Sequence, residues 1–96
     1  MANRELEEGA EVLVNALARV IEARRQQLAI SQEELAKRAG ISRTYLSDIE
    51  RGLRNISVVT LTKLARAMQS DASTMLAEAE NSSNIAQPNA AQSVRS

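Results

Sequence analysis

The sequence predicts an all-α protein built from five helices. Three observations indicate this class: apolar residues recur at helical spacing, the 96 residues include only three Gly and one Pro, and Tyr45 is the one aromatic residue. Because Gly and Pro are the residues that most often interrupt helices, their scarcity predicts few turns. Apolar side chains that recur every three or four residues are typical of helices with one buried face. Without Trp or Phe, the core has to consist of Leu, Ile, Val, Ala and Met.

The first two helices are separated by a short break after Leu28. Apolar spacing predicts a long helix from about Glu8 to Leu28, preceded by an acidic N-terminal extension over residues 1–9. A second helix begins with the capping box Ser31-Gln32-Glu33-Glu34, where the serine hydroxyl accepts from the Glu34 N–H and the Glu34 side chain reaches back. Gly40 ends this helix, because glycine readily adopts the left-handed conformation found there.

Three further helices follow at short intervals. Ser42 is the expected N-cap of a third helix that stops at Gly52, Ser57 caps a fourth, and a short fifth opens near Asp71. The expected inner faces comprise Val58, Leu61, Leu64, Ala65 and Met68 in the fourth helix and Met75 and Leu76 in the fifth. Residues 10–80 are thus predicted to form one domain, and the polar residues 81–96 a disordered tail.

The composition excludes several classes of protein. The chain has no Cys and no His, which removes disulfides, thiolate nucleophiles, the usual general base and the commonest metal ligands. No apolar run approaches the ~18 residues of a membrane span, and the acidic start MANRELEEGAEV is unlike a signal peptide. We therefore expect a cytoplasmic protein that is not an enzyme, with no cofactor, metal, membrane or small-molecule partner.

The net charge of zero conceals a segregation along the chain. Residues 1–18 carry a net charge of −3, residues 19–66 carry +5 and residues 67–96 carry −2. A basic middle between acidic ends is typical of a protein with a polyanionic partner, although ordinary solvated surface can show the same pattern.

The basic middle contains a helix-turn-helix pattern. Gln32–Ala39 is the first helix, Gly40-Ile41 the turn and Ser42–Arg51 the second helix. At about 100° per residue, Leu46, Ile49 and Leu53 face one side of the second helix. Its opposite side and first turn are polar and comprise Arg43, Thr44, Tyr45, Ser47, Asp48 and Arg51.

An apolar back and a polar N-terminal front are typical of a helix that reads DNA. Arg43 has the geometry to bond guanine with two N–H groups, Thr44 can contact a thymine methyl, and Asp48 can accept from cytosine. Two residues leave alternatives open. Tyr45 either stacks on DNA or packs over the turn, and Asp48 either reads a base or orients Arg43 or Arg51.

The stretch ISQEELAKRAGISRTYLSDIERGLRNIS, followed by TLTKLARAM, resembles the Cro/repressor-type helix-turn-helix family, the xenobiotic-response-element group. Arg43–Ser47, Glu50-Arg51 and Arg54-Asn55 look most like its restriction–modification controller proteins. The resemblance covers Leu17–Leu76 and implies a five-helix lambda-repressor-like domain that binds operator DNA as a homodimer. It implies base reading by Arg43, Thr44, Tyr45, Ser47 and Asp48. It also implies contacts with the DNA backbone by Gln32, Ser42, Arg51, Arg54 and Asn55. For Arg51 and Arg54 the alternative is that they are ordinary surface residues.

The resemblance also pairs Arg25 with Glu50. Glu50 lies about 40° from Leu46 toward the buried side of its helix, where a carboxylate has to be paired. We expect a structural salt bridge. Ala29 stands where the family commonly has Gly, which predicts a tighter or more helical first turn.

Apolar residues at polar positions of the family pattern predict the dimer contact. Leu53 and Val59 depart from the family in this way, and Val59 points about 160° away from Leu61. The predicted dimer interface comprises Leu53, Val59, Met68, Met75 and Leu76, of which Met68, Met75 and Leu76 alternatively complete the core.

Two functions of different class follow from these observations. The first is a sequence-specific transcriptional regulator acting as a homodimer on operator DNA, such as a restriction–modification controller protein. The second is a protein-interaction module of the same fold, an antitoxin or coactivator-like adaptor, whose acidic first segment and tail bind a protein partner.

Overall fold

The structure, a computed structural model, describes residues 3–85 of the chain, with side chains for residues 4–82. Over this range the chain forms five helices: α1 (Asn3–Gln27), α2 (Gln32–Ala39), α3 (Arg43–Glu50), α4 (Val58–Ala67) and α5 (Ala72–Ile85). α1 packs along α5, while α2 packs against both α3 and α4. The predicted all-α class with five helices is confirmed.

One aliphatic core joins all five helices. Its fully buried large side chains are Ile21 of α1, Leu35 of α2, Leu46 of α3, Leu64 of α4 and Met75 of α5. Burying a side chain of this size stabilises the fold by about 1.5–3 kcal/mol. Every helix contributes one, so none can detach without exposing part of the core.

Side-chain caps start α2 to α5. Ser31, Ser42 and Ser57 each accept a hydrogen bond from the N–H three residues further along, at 3.0 Å. The Asp71 carboxylate accepts from the Thr74 N–H at 2.8 Å, and this hydrogen bond holds the pKa of Asp71 below its ordinary value. The caps predicted from the sequence therefore define these helix starts.

The reciprocal half of the capping box takes a different form. The Glu34 carboxylate accepts a hydrogen bond from Arg38 Nε at 2.8 Å, one helical turn further along α2. The expectation that it reaches back to the N-cap is wrong. A charged partner at the i+4 position competes with the neutral N–H of Ser31 for the same oxygens.

Four helices end in the same left-handed turn. Ala29, Gly40, Gly52 and Gln69 have φ angles of 59°, 74°, 76° and 59°. In each turn the N–H of this residue and the N–H of the next donate to carbonyls three and five residues earlier, which is the Schellman arrangement. The prediction of a tighter or more helical turn at Ala29 is wrong, because Ala29 adopts the conformation that glycine usually supplies.

Replacing Ala29 or Gln69 with Gly is expected to stabilise the protein. A non-glycine residue in the left-handed region costs about 1–2 kcal/mol, and glycine adds about 0.4–1 kcal/mol of unfolded-state entropy. The net gain is about 0.5–1 kcal/mol for each variant, measured by urea denaturation. Ala77→Gly is the matched control, because Ala77 is exposed in the regular part of α5. This variant should lose about 0.5–1 kcal/mol of stability. A loss in all three variants would contradict the strain at Ala29 and Gln69.

The predicted extension over residues 1–9 is corrected by the start of α1. The helix begins at Asn3 rather than near Glu8, and the side chains of residues 4–10 are exposed. Arg, Glu and Leu are good helix formers, and acidic residues favour a helix N-terminus. Gly9 does not interrupt the helix, and residues 1–2 lie outside the described range.

The predicted tail is corrected in the same way at the other end. α5 continues to Ile85, so residues 81–85 are helical. Adding residues to an existing helix is far easier than nucleating one, and polar residues without Gly or Pro do not oppose it. The remaining predicted tail, residues 86–96, lies outside the described range. Within residues 3–85, no helix is sufficiently long and apolar to cross a bilayer.

Candidate nucleic-acid interface

The turn between α2 and α3 brings two small residues of α2 against the core. Ala36 and Ala39 are buried, and their methyl groups let the helices approach closely. The Ile41 N–H donates to the Ala36 carbonyl at 3.0 Å, and the Ile41 side chain packs on the core. Gly40, in the left-handed conformation, reverses the chain between the two helices. α2 and α3 thus form one rigid unit.

α3 divides into a buried back and a solvent-facing front. Leu46 and Ile49 are buried in the core, whereas Arg43 and Thr44 are exposed in the first turn. The remaining polar residues of the front, Ser47 and Asp48, are half-buried. Ser42, the predicted backbone contact, is exposed and its Oγ accepts the capping hydrogen bond from the Tyr45 N–H at 3.0 Å. The N-terminal end of α3 is therefore open to a ligand.

Arg25 and Glu50 form a two-pronged ion pair. Arg25 Nε lies 2.8 Å from Glu50 Oε2, and Arg25 Nη2 lies 3.0 Å from Oε1. Their side chains are 12% and 2% exposed. Arg25 Nη1 also donates to the Ile30 carbonyl at 2.9 Å. The hydrogen bond to Glu50 raises the pKa of Arg25 above its ordinary value, so Arg25 stays charged. The two-pronged contact ties the end of α3 to α1.

Gln32 belongs to the same network, which sequence reasoning missed. Its Nε2 donates to Glu50 Oε1 at 2.9 Å, so the buried carboxylate holds α1, α2 and α3 together. The one available signal was that Glu50 has more lone pairs than Arg25 alone satisfies. The Gln32 side-chain nitrogen is therefore occupied, and a phosphate contact would use its backbone N–H at the start of α2.

Asp48 contacts a residue that the sequence did not indicate. Asp48 Oδ2 lies 3.5 Å from Nε of Arg54, in the α3–α4 loop. The Arg54 guanidinium also lies over the Tyr45 ring, 5.4 Å from its centroid. The expectation that Asp48 orients Arg43 or Arg51 is wrong, because the left-handed turn at Gly52 folds the loop back along the front of α3.

The other predicted loop contacts lie on the surface. Arg51 and Asn55 are exposed. Gly52 is close to α1, since a Cβ there would clash with the Asn15 side chain. The loop and α1 together form a shallow groove whose lining includes Asn15, Arg54 and Asn55. The loop is thus held against α1 with its polar residues facing solvent.

The predicted dimer residues separate into two groups. Met68 and Met75 are buried in the core of the protomer. The expectation that they complete the core is confirmed, and placing them in a dimer interface is wrong. Leu76 is half-buried against the same core. The helical period turns both methionines toward the core rather than toward solvent.

The α3–α4 loop and the start of α4 carry exposed apolar side chains instead. Leu53 is 59% exposed, Val59 63% and Val58 74%. The expectations that Leu53 continues the inner face of α3 and Val58 that of α4 are wrong. Gly52 ends α3 before Leu53, and the core-facing positions of α4 begin only at Leu61.

Comparison with known proteins places this architecture in a family. Residues 21–74, more than half of the chain, match the family model described as helix-turn-helix. The chain belongs to the helix-turn-helix family. The match starts within α1 and ends in α5, so it includes α2, the turn and α3. The resemblance to the Cro/repressor-type group is confirmed.

Individual members of the helix-turn-helix family support the likeness to controller proteins. The control protein C.BamHI of Bacillus amyloliquefaciens is 49% identical over 39 residues, which are 41% of this chain and 48% of that protein. The chain spans about half the length of the curated relatives it matches.

Solved helix-turn-helix structures extend the comparison. The clp gene regulator ClgR from Corynebacterium glutamicum superposes with a TM-score of 0.73 at 28% identity, covering 85% of this chain and 89% of that one. The controller protein C.Esp1396I, solved as a tetramer with its natural 35-base-pair operator, gives a TM-score of 0.68 at 25% identity. That match covers 74% of this chain and 93% of that one.

Proposed function

We propose that this protein is a sequence-specific DNA-binding transcriptional regulator that acts as a homodimer on operator DNA. The observation that carries the proposal is the exposed N-terminal end of α3, with Arg43 and Thr44 open to solvent, above a back held by the core and by the Arg25–Glu50 pair. A rigid helix with a polar tip is the arrangement that reads base edges in a major groove.

Four residues of the α3 front contact DNA directly in this proposal. Arg43 donates two hydrogen bonds to O6 and N7 of a guanine, and Thr44 contacts a thymine methyl. Ser47 reaches a base edge beside them, and Tyr45 lies against the sugar–phosphate backbone. Arg43, Thr44 and Ser47 together read a few base pairs in each half-site.

Phosphate contacts supply most of the affinity in this proposal. Arg51, Arg54 and Asn55 lie exposed at or after the end of α3, and the starts of α2 and α3 present backbone N–H groups near Gln32 and Ser42. Each phosphate neutralised by a cation contributes a slope of about −0.9 to the dependence of log K on log salt.

A second copy of the chain covers the apolar patch formed by Leu53, Val58 and Val59. These three exposed side chains lie within seven residues of one another beside α3, and a twofold axis there sets two α3 helices side by side. Successive major grooves on one face of DNA are about 34–36 Å apart, which is the separation that the dimer has to provide.

Val59→Asp is expected to separate the dimer without unfolding the protomer. A carboxylate buried in an apolar interface is strongly unfavourable, so the dimer dissociation constant should rise at least about tenfold, or 1.4 kcal/mol. Sedimentation equilibrium measures this change. Val12→Asp, on an exposed position of α1, is the control and should leave the dimer intact. Equal dissociation constants for wild type and V59D would rule out this interface.

Gln32→Ala is expected to weaken binding to every duplex by a similar factor. The variant keeps the backbone N–H at the start of α2 but loses the hydrogen bond to Glu50 that holds α2 in place, worth about 1 kcal/mol of stability. A less firmly held α2 weakens its contact with the DNA backbone, which carries no sequence information. Anisotropy titrations with selected and scrambled duplexes, well below the melting temperature, measure the effect. A change in the preferred sequence would contradict a backbone role.

The controller type of regulator fits best within this proposal. The likeness to C.BamHI and to the operator-bound C.Esp1396I supports a small operator-binding protein. The role implies a cytoplasmic location, where operator DNA is found, and requires no catalytic step.

A gel-shift series tests the proposed function. The pure protein is mixed with DNA from upstream of its own gene at increasing salt, and bound sequences are selected from a random pool. A discrete complex that weakens steeply with salt and a palindromic selected site are the expected results. No complex at low salt would reject the regulator and favour the protein-interaction module.

A further inference from the structure

Arg54 is held on the front of α3 by two side chains. Its Nε lies 3.5 Å from Asp48 Oδ2, and its guanidinium lies over the Tyr45 ring. Arg54 is 54% exposed and Asp48 is 23% exposed. Contact with both neighbours restricts a long side chain that would otherwise sample many rotamers.

Asp48 places a negative charge on the surface that is proposed to contact DNA. It follows Thr44 by four residues, so the two share one face of α3. An unpaired carboxylate there repels phosphates on both sides of the groove. Arg54 cancels this charge, and Asp48 in turn keeps Arg54 beside the reading helix.

We propose that Asp48 and Arg54 act as one unit, in which Asp48 positions Arg54 for DNA and limits binding to non-cognate DNA. The inference rests on the proposed function. Arg54 then binds well only where the phosphate or base edge lies within reach of its restricted position. An unrestricted arginine would find a phosphate on any duplex.

The unit has a consequence that two independent contacts do not have. Removing Arg54 both deletes a DNA contact and uncovers the Asp48 charge. Removing Asp48 as well should therefore restore part of the lost affinity. If Asp48 instead only read a cytosine, its removal would lower the affinity for DNA further.

The experiment compares wild type, D48N, R54Q and the D48N/R54Q double variant. Each is titrated by anisotropy against a duplex selected by the wild type and against a scrambled duplex, after thermal unfolding has shown that all four are folded. R54Q should bind the selected duplex at least about tenfold more weakly. The double variant should bind at least about threefold more tightly than R54Q. The affinity of D48N for the scrambled duplex should be at least about threefold higher than that of the wild type, and its affinity for the selected duplex should rise by less.

The matched control is the R24Q and E78Q pair. Arg24 and Glu78 form a 2.8 Å ion pair between α1 and α5, away from α3, and their variants should change DNA affinity by less than about twofold. The unit would be overturned if D48N changed affinity for the selected duplex by the same factor in the R54Q background as in the wild type, or if the double variant bound more weakly than R54Q. A wild type that binds neither duplex would reject the proposed function itself, and with it the unit.

Discussion

Arg25→Ala is expected to lower the free energy of unfolding by about 3–5 kcal/mol. The variant leaves the Glu50 carboxylate, whose side chain is 2% exposed, in the core with only the Gln32 amide as a partner. A domain is stable by about 5–15 kcal/mol, so the loss takes a large part of the total. Urea denaturation followed by circular dichroism measures it.

The pH dependence of the Arg25 contribution in the wild type follows from the direction of the Arg25 pKa shift. The pKa of Arg25 is raised by its hydrogen bond to Glu50. A raised pKa adds stability that is fully present below the ordinary value and is lost only as pH rises through the raised one. The contribution of Arg25 to the stability of the wild type should therefore stay constant between about pH 6 and 9.

Two comparisons make the Arg25 result specific. Arg38→Ala removes an exposed ion pair with Glu34 and should cost less than about 1 kcal/mol. Arg25→Leu combined with Glu50→Leu removes both charges and should recover much of the stability that R25A loses. An R25A variant as stable as R38A would mean that Glu50 is not isolated by the core.

Arg43→Ala is expected to weaken binding to the selected duplex by about 1–3 kcal/mol and to relax preference at one base pair. The guanidinium is the group at the exposed tip of α3 that can bond guanine with two N–H groups. The test compares the selected duplex with variants that differ at single positions. Thermal stability should be unchanged, because Arg43 is outside the core.

Arg19→Ala provides the control for Arg43. Arg19 is exposed on α1 beside α5, so its removal changes the net charge equally without touching α3. It should lower affinity slightly and evenly over all sequences. If R43A also weakened every duplex evenly, Arg43 would be a backbone contact and the base-reading role would have to move to Thr44 or Ser47.

Local signals in the sequence were sufficient for most helix boundaries. Ser31, Ser42 and Ser57 cap helices as their side chains require, and Gly40 and Gly52 end them. A cap or a left-handed turn involves residues three to five apart, so a short window contains all of its partners. The outer ends of α1 and α5 were harder, because the exposed residues near those ends lack the apolar spacing that identifies a core-facing helix.

The candidate site shows the same division. The front of α3 and the Arg25–Glu50 pair were visible from residue type, helical period and the family resemblance. The contact from Asp48 to Arg54 was not, since a turn of the chain has to fold the loop back before they meet. The bond from Gln32 to Glu50 likewise joins two helices.

Composition, helical period and capping residues by themselves determined five helices, a helix-turn-helix and a polar front on α3. Only the tertiary structure decided between the core and the surface where the sequence left both open. It placed Met68 and Met75 in the core and left Leu53, Val58 and Val59 on the surface. The reason is physical. Helical period specifies which residues share a face, but whether another helix covers that face depends on how the whole chain packs.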